Sequence, residues 1–485
     1  MKKKYGLMKV LSVLLLLVVV ASYFIKDRQG TISYIALGDV FLNYVQSFYY
    51  FFDTVIFILV VGGFYGFLNK IPAYKQMIES ISEKITNKGK EKLFVILVTI
   101  IFALLASLTG LNIILLLFIP AIISIILLIG YDKLVALSAT IGGVLVGYIG
   151  GIFLTFKDAS SQYAVSYTTF DKLVGLKSNF NNVIPKVLLL VVAVLLLIYT
   201  IVNHIKKGSS EKYNLTKTDS LFVETKEKQT KKEKETKKKA LLWPLYVVLG
   251  LFLVILVLGY LPWNDLFGIK CFDDFHTWLT GLKIGDYAVF TSLISSSFTA
   301  LGTWGNLGNY MMVILFIALF MVVLMLIYHV HFEQAMDGFI YGMKKMIPAA
   351  MITGIAYCVL VCSYNNGFVE TIITNAGKSF GDNVIINALI SVLGSILNVD
   401  TYYTSAGVFT SIVSALPDKA NLSVYALMFQ SLYGLVQLVG PTSILLIVGL
   451  SYLEVPYKTW LKYIWRFIIE LLIVILITLM IVSLI

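Results

Sequence analysis

Runs of near-continuous Leu, Ile, Val and Phe recur along the whole chain, each roughly as long as a bilayer-crossing helix requires. At 1.5 Å rise per residue, about 20 apolar residues cross a hydrocarbon core of roughly 30 Å. The runs predict spans at about 7–25, 50–68, 135–154, 187–204, 241–261, 306–328, 346–362, 425–449 and 464–485. No soluble domain of comparable size stands outside them, so the function is expected inside the bilayer. Composition agrees: 59% of the 485 residues are hydrophobic and 13% are charged, against about 25% charged in an ordinary soluble protein.

The formal charge is +11, from 38 Lys and Arg against 27 Asp and Glu. In a soluble protein that balance would suggest nucleic acid; here topology explains it and no nucleic-acid partner is expected. Most of the basic residues sit at the N-terminus and in loops at 69–92, 206–240, 329–345 and 450–463. The positive-inside rule places these in the cytoplasm, with the N-terminus inside and the C-terminus outside a multi-pass cell-membrane protein. The first run, Leu7 to Ile25 behind three lysines, mimics a signal peptide. It lacks a small-x-small cleavage site and more spans follow, so it reads as a retained helix. Cys271, Cys358 and Cys362 are too few for a disulfide framework.

Two apolar stretches are interrupted. Residues 93–130 break at Ser107-Leu-Thr-Gly-Leu-Asn112, and residues 386–416 break at Asn398-Val-Asp-Thr-Tyr-Tyr-Thr-Ser405. Each returns to its starting side whether it is a re-entrant hairpin or a pair of spans. The short, weakly polar first tip suits burial in protein, which favours re-entrant hairpins. The halves repeat weakly: Gly63 to Glu79 resembles Gly354 to Glu370, and the hairpins end in Tyr131-Asp-Lys133 and Pro417-Asp-Lys419. The repeats run in opposite directions. The expected fold is therefore an all-α polytopic membrane protein of two inverted repeats, each with a hairpin and a broken helix. The N-terminal membrane half is 1–205, with its repeat from about 42. Residues 206–240 form a charged linker, rich in mixed charge from Lys226 to Lys239. It reads as a solvated tether, with lipid binding as the alternative. The C-terminal half is 241–485, with its repeat from about 332.

An exposed backbone group in hydrocarbon costs several kcal/mol, so a non-helical break persists only where protein or water satisfies it. Four breaks stand out. Two are the hairpin tips, with Ser107, Thr109 and Asn112 in the first and Asn398, Asp400, Thr401, Thr404 and Ser405 in the second. The third is Gly142-Gly-Val-Leu-Val-Gly-Tyr-Ile-Gly-Gly151, ending at Gly150 and Gly151. The fourth is Gln437-Leu-Val-Gly-Pro-Thr-Ser443, with Gln437, Gly440, Pro441, Thr442 and Ser443. Helix termini at such breaks offer N–H groups to an anion and carbonyls to Na⁺. Close helix packing is the alternative for the glycine run, and a mere kink for Gly440-Pro441. Asp400 is the sharpest single residue, since an intramembrane carboxylate is costly and usually functional. It would take a proton, Na⁺ or a substrate amine; the alternative is an outer-surface position. Na⁺ is a candidate near Asn112 and Asn398. Asp53 and Glu470 read as interfacial anchors. His204 ends a span beside Lys206 and Lys207, where a headgroup position is the default.

Val455-Pro-Tyr-Lys-Thr-Trp-Leu-Lys462 resembles the segment before the last helix of YfcC-like carriers, of the anaerobic C4-dicarboxylate carrier group within the ion-transporter superfamily. Val60-Val-Gly-Gly-Phe-Tyr-Gly-Phe-Leu-Asn-Lys70 resembles that family's first repeat helix. Leu128-Ile-Gly-Tyr-Asp132 is similar to its first hairpin exit, and Gln437 to Ser443 to its Pro-Thr-Ser break. The resemblance implies inverted repeats, re-entrant hairpins, a homodimer and elevator-like movement. Its substrates include dicarboxylates and amino acids. The sequence departs from it at the second tip, Asp400-Thr-Tyr-Tyr-Thr-Ser-Ala-Gly407, and at Leu432 and Tyr148-Ile-Gly-Gly-Ile152.

The expected function is ion-coupled secondary transport or exchange of a small carboxylate-bearing solute, an amino acid first and a dicarboxylate or short-chain acid second. Na⁺ or H⁺ is the coupling ion, and no cofactor is expected. A membrane enzyme would need a catalytic set, and His204, His276, His329 and His331 form none. A channel is also compatible with repeats and broken helices.

Overall fold

A computed structural model describes residues 6–26, 34–109, 113–151, 180–208, 241–260, 268–294, 310–365, 383–397 and 421–484, with positions 263, 367, 371 and 375. The apolar runs form helices: α1 (Gly6–Ser22), α2 (Leu37–Tyr50), α3 (Phe52–Leu68), α4 (Pro72–Asn87), α5 (Glu91–Thr109) and α6 (Ile119–Leu128). They continue as α7 (Lys133–Gly147), α8 (Phe180–Lys206), α9 (Trp243–Tyr260), α10 (Cys271–Gly281), α11 (Val289–Ile294), α12 (Tyr310–Tyr328) and α13 (Phe332–Asn365). The last are α14 (Val384–Leu397), α15 (Leu422–Gln437), α16 (Ile444–Tyr452) and α17 (Tyr457–Leu484). A two-stranded hairpin, β1 (Lys283–Ile284) against β2 (Tyr287–Ala288), is the one sheet among the described residues.

Stretches of α5, α8, α12, α13 and α17 are each long and apolar enough to cross a membrane, and α2 with α3 would make a sixth crossing. Their outward surfaces carry Leu188, Leu195, Val322, Leu326, Ile473, Ile477 and Met480, all exposed. Such a surface is stable against lipid, not water, and the molecule is a multi-pass membrane protein. Several predicted spans are shorter or broken helices. The predicted span at 425–449 is α15 and α16 with a gap between them, and that at 135–154 stops at Gly147. The predicted loop at 329–345 is largely helix, because α13 starts at Phe332 and runs through Pro348.

Helices α3 and α13 form the centre, antiparallel and in close contact. A Cβ on Gly66 would lie 2.1 Å from the Gly338 carbonyl oxygen, and one on Gly342 would lie 2.0 Å from that of Gly62. Only hydrogen fits at either position. This is the close backbone approach that small residues four apart permit between membrane helices. Further along the same pair, Phe51 stacks on Tyr357 with ring centroids 3.7 Å apart. Phe51 is also where α2 and α3 bend by 64°. Tyr65 donates its hydroxyl to the Leu117 carbonyl at 2.5 Å, tying α3 to the 3-10 turn Ile113–Leu117 that precedes α6.

Candidate translocation site at two broken helices

The first broken helix is α7. Asp132 caps its start by accepting the Val135 N–H at 2.9 Å. Ser138 to Gly142 then form a π-helical turn, a feature that recurs at functional sites. The helix ends at Gly147 because the chain tightens. Tyr148 and Ile149 donate to Leu145 and Val146, and the next carbonyls have no helical donor among the described residues. Two side chains from elsewhere take those carbonyls. Ser107, near the end of α5, donates to Gly150 O at 2.8 Å, and Gln430 on α15 donates to Gly151 O at 2.8 Å. A Cβ on Gly150 would stand 2.3 Å from the Lys186 carbonyl, and one on Gly147 would stand 2.5 Å from that of Ala103. Close packing and a backbone break therefore coexist in the glycine run: the glycines pack α7 against α5 and α8, and the helix stops among them.

The second broken helix is α15 with α16. Leu438 and Val439 carry carbonyls freed by the end of α15, and both are taken by α17. Trp460 Nε1 donates to Leu438 O at 2.8 Å, and the Tyr457 hydroxyl donates to Val439 O. Both donors belong to the Val455–Lys462 segment. Thr442 Oγ1 donates to Ile396 O, near the end of α14, at 2.6 Å. Each break is thus tied to the first arm of its own predicted hairpin, by Ser107 in one half and by Thr442 in the other. Pro441 blocks helix continuation, and Ser443 stands in extended conformation at the start of α16.

The two breaks lie at similar depth. A Cβ on Gly434 would be 2.8 Å from Ile149 N, and Gly434 precedes Leu438 by about one helical turn. Between them is a set of buried polar atoms. Gln430, Ser431, Gln437, Thr442 and Ser443 are all buried. Among the described residues, Gln430 Oε1 and Ser443 Oγ have no hydrogen-bond partner. Buried acceptors of this kind normally find one. Lys186, also buried, contributes its carbonyl at Gly150.

The predicted residues Ser107, Gly150, Gly151, Gln437, Gly440, Pro441, Thr442 and Ser443 line or adjoin the two breaks. Thr109 ends α5, with its side chain outside the described residues, and Asn112, Asn398, Asp400, Thr401, Thr404 and Ser405 lie outside them altogether. Gln430 and Lys186 were not anticipated. Gln430 is an amide within an apolar run, about two helical turns before the break. His204, expected at headgroup level, has its side chain turned into the protein. It is buried, with Nε2 2.8 Å from Asp132 Oδ2, because the loop before α7 brings a carboxylate to it. Cys358 and Cys362 are packed between α13 and α2, where Asn43 donates to Cys362 Sγ at 3.3 Å. No group of three or more metal-ligating side chains is present among the described residues.

A protein-family model described as a C4-dicarboxylate anaerobic carrier matches residues 46–484. No curated protein and no solved structure matches the chain significantly.

Proposed function

The chain belongs to the C4-dicarboxylate anaerobic carrier family, and from that premise we propose that it is an ion-coupled secondary carrier of small carboxylate-bearing solutes, C4-dicarboxylates first among them. The observation that carries this reading is the match over residues 46–484, which includes both broken helices. The geometry suits it. Half-helices that end inside a membrane protein present N–H groups to an anion and carbonyls to a cation. Here α16 starts beside the unpartnered Ser443 Oγ, and the turn after α7 carries the carbonyls of Gly150 and Gly151. A dicarboxylate between the breaks would meet the start of α16 at one carboxylate. Lys186 would offset the charge of the other. Gln430 Oε1 and the break carbonyls would accept a coupling Na⁺, or a proton carried in its place.

The same reading takes the two halves as inverted repeats. Ser107 and Thr442 each join a hairpin arm to a broken helix at corresponding places in the two halves. Helices α3 and α13, which start the two repeats, lie antiparallel. In this reading α5–α6 and α14 with its following segment are re-entrant hairpins that move with the broken helices against a scaffold, in the manner of an elevator. The scaffold would pair as a homodimer, with the N-terminus cytoplasmic and the C-terminus outside. Within the family, this reading would put the chain in a YfcC-like subgroup, on the resemblance of its Val455–Lys462 segment.

Asp400 favours an amino acid as a second reading, because a carboxylate at the second tip would bind a substrate amine. Counterflow in proteoliposomes separates the two. Preloaded unlabelled succinate is expected to drive entry of labelled succinate, with a dependence on Na⁺ or pH. Succinate counterflow that survives Asp400→Asn, while amino-acid counterflow is absent, supports the dicarboxylate reading. Amino-acid counterflow lost in Asp400→Asn supports the second. Absence of counterflow with either solute would overturn the carrier assignment of the site.

A further inference from the structure

We propose that Asp132 and His204 form a proton-binding site coupled, through Tyr463 and Trp460, to the backbone carbonyls at the second break. The inference rests on the carrier reading for its role in transport but not for its titration. Asp132 Oδ1 holds the start of α7, while Oδ2 faces His204 Nε2 at 2.8 Å. Both side chains are buried, yet α8 ends two residues later at exposed Lys206, followed by exposed Lys207, within a turn of the imidazole. The other ring face meets Tyr463 edge to face, with centroids 4.9 Å apart. Tyr463 packs on Trp460 at 5.7 Å, and Trp460 Nε1 holds Leu438 O. One continuous line of contacts thus joins the N-terminus of the first broken helix to the C-terminus of the half-helix before the second break. The connected residues come from four separate parts of the chain, so a packed core alone would not require a carboxylate and an imidazole here.

An imidazole changes charge in the physiological range, which no Lys, Arg or Tyr side chain ordinarily does. The groups on the elements around it are of those other kinds, apart from one carboxylate, Glu91, which ordinarily titrates well below that range. Lys133 and Tyr131 adjoin Asp132, and Glu91 and Lys92 start α5. Lys462 and Arg466 flank Tyr463 on α17, and Tyr425 and Tyr433 lie on α15. With the proton bound, the pair is an imidazolium–carboxylate bridge that clamps α7 to α8 and sets the Tyr463 ring. With the proton released, one charge of the bridge is gone and a buried carboxylate keeps a weaker partner. The ring that leans on Trp460 is then free to shift, and with it the donor on Leu438 O.

The test uses the full-length protein in two assays. The first is thermal unfolding without substrate from pH 5.5 to 8.5. The wild type is expected to be more stable at the acidic end, and His204→Gln and Asp132→Asn are each expected to lose that dependence. Asp132→Asn keeps a helix cap, so it guards against misfolding. The second is succinate counterflow over the same pH range, in which both variants are expected to show a flattened profile. Tyr463→Leu, which cuts the line of contacts, is expected to keep the pH-dependent stability and lose the pH-dependent transport. Full pH dependence of stability in His204→Gln overturns the proton site. Unaltered pH dependence of transport in Tyr463→Leu overturns the coupling. Loss of pH-dependent stability in a protein with no counterflow would leave the site standing and sink the carrier reading instead.

Discussion

Gln430 links the two halves of the chain, donating from Nε2 to the carbonyl of Gly151 over 2.8 Å. The contact joins a helix that leads into one break to the backbone of the other. It also leaves Oε1 buried without a hydrogen-bond partner among the described residues.

Gln430→Ala removes the donor from a buried carbonyl. A buried polar group left unsatisfied costs about 1–3 kcal/mol. The variant is expected to fold with lowered thermal stability and to lose most succinate counterflow. Gln430→Glu restores an oxygen without the amide donor and is expected to rescue neither. Wild-type counterflow in Gln430→Ala would remove the residue from the site.

Lys186→Met keeps length and apolar packing but removes the charge. If the ammonium offsets a substrate carboxylate, KM for a dicarboxylate is expected to rise by roughly 10- to 100-fold, the equivalent of a lost charged hydrogen bond. A monocarboxylate is expected to be affected less. Equal effects on both, or a loss of folded protein with no change in KM, would assign Lys186 to structure.

Gly342→Ala places a methyl group about where the Gly62 carbonyl oxygen stands. Overpacking of this kind costs about 1–3 kcal/mol when the backbone yields and more when it cannot. The variant is expected to show a lower yield of folded protein and a lower unfolding temperature. Gly250→Ala is the control: a Cβ there meets nothing within 4 Å, and Ala favours helix over Gly by about 1 kcal/mol. It is expected to be neutral or stabilising by thermal unfolding in detergent.

Asp132 carries a pH prediction at the acidic end. Burial pushes its carboxyl up, but the hydrogen bonds from His204 and from the Val135 N–H outweigh it and hold the carboxyl below the usual range. A folded-state value below the unfolded one means the carboxylate stabilises the fold above about pH 3.9. That contribution is lost as the pH falls through the depressed value. Asp132→Ala is expected to be less stable than wild type at neutral pH, by about 1 kcal/mol for the cap alone, with the gap closing below pH 4. A gap that persists unchanged at pH 3 would show that the carboxylate's charge contributes nothing.

The helices and both broken spans were legible because their signals are local. Apolar runs of membrane length have one stable conformation in lipid. Gly150-Gly151 and Gly440-Pro441 mark places where the helix cannot continue. The bend at Phe51 carries no such mark: neither Gly nor Pro stands there, and stacking on Tyr357 fixes the aromatic side chain from 306 positions away. The pairing of His204 is hidden for the same reason. Its neighbours in sequence are lysines, while its partner Asp132 is 72 residues distant. Lys186 stands just before the predicted span at 187–204, although its helix begins at Phe180. Ser107 and Thr442 were expected at the site, but their role as ties between a hairpin arm and a break depends on pairings no periodicity reveals. The crossing of Gly62 and Gly66 with Gly338 and Gly342 is likewise non-local.

That crossing acts as a detent. Two helices with ordinary side chains can creep past each other by small repacking steps. Helices α3 and α13 cannot, because each hollow admits only a hydrogen atom. Sliding by one residue would drive Phe339 or Tyr341 into the slot that Gly338 or Gly342 leaves open. The pair is therefore locked in register along its length, like two racks with their teeth engaged. Any large displacement within the molecule has to take place on either side of this axis, among the helices that do not share it.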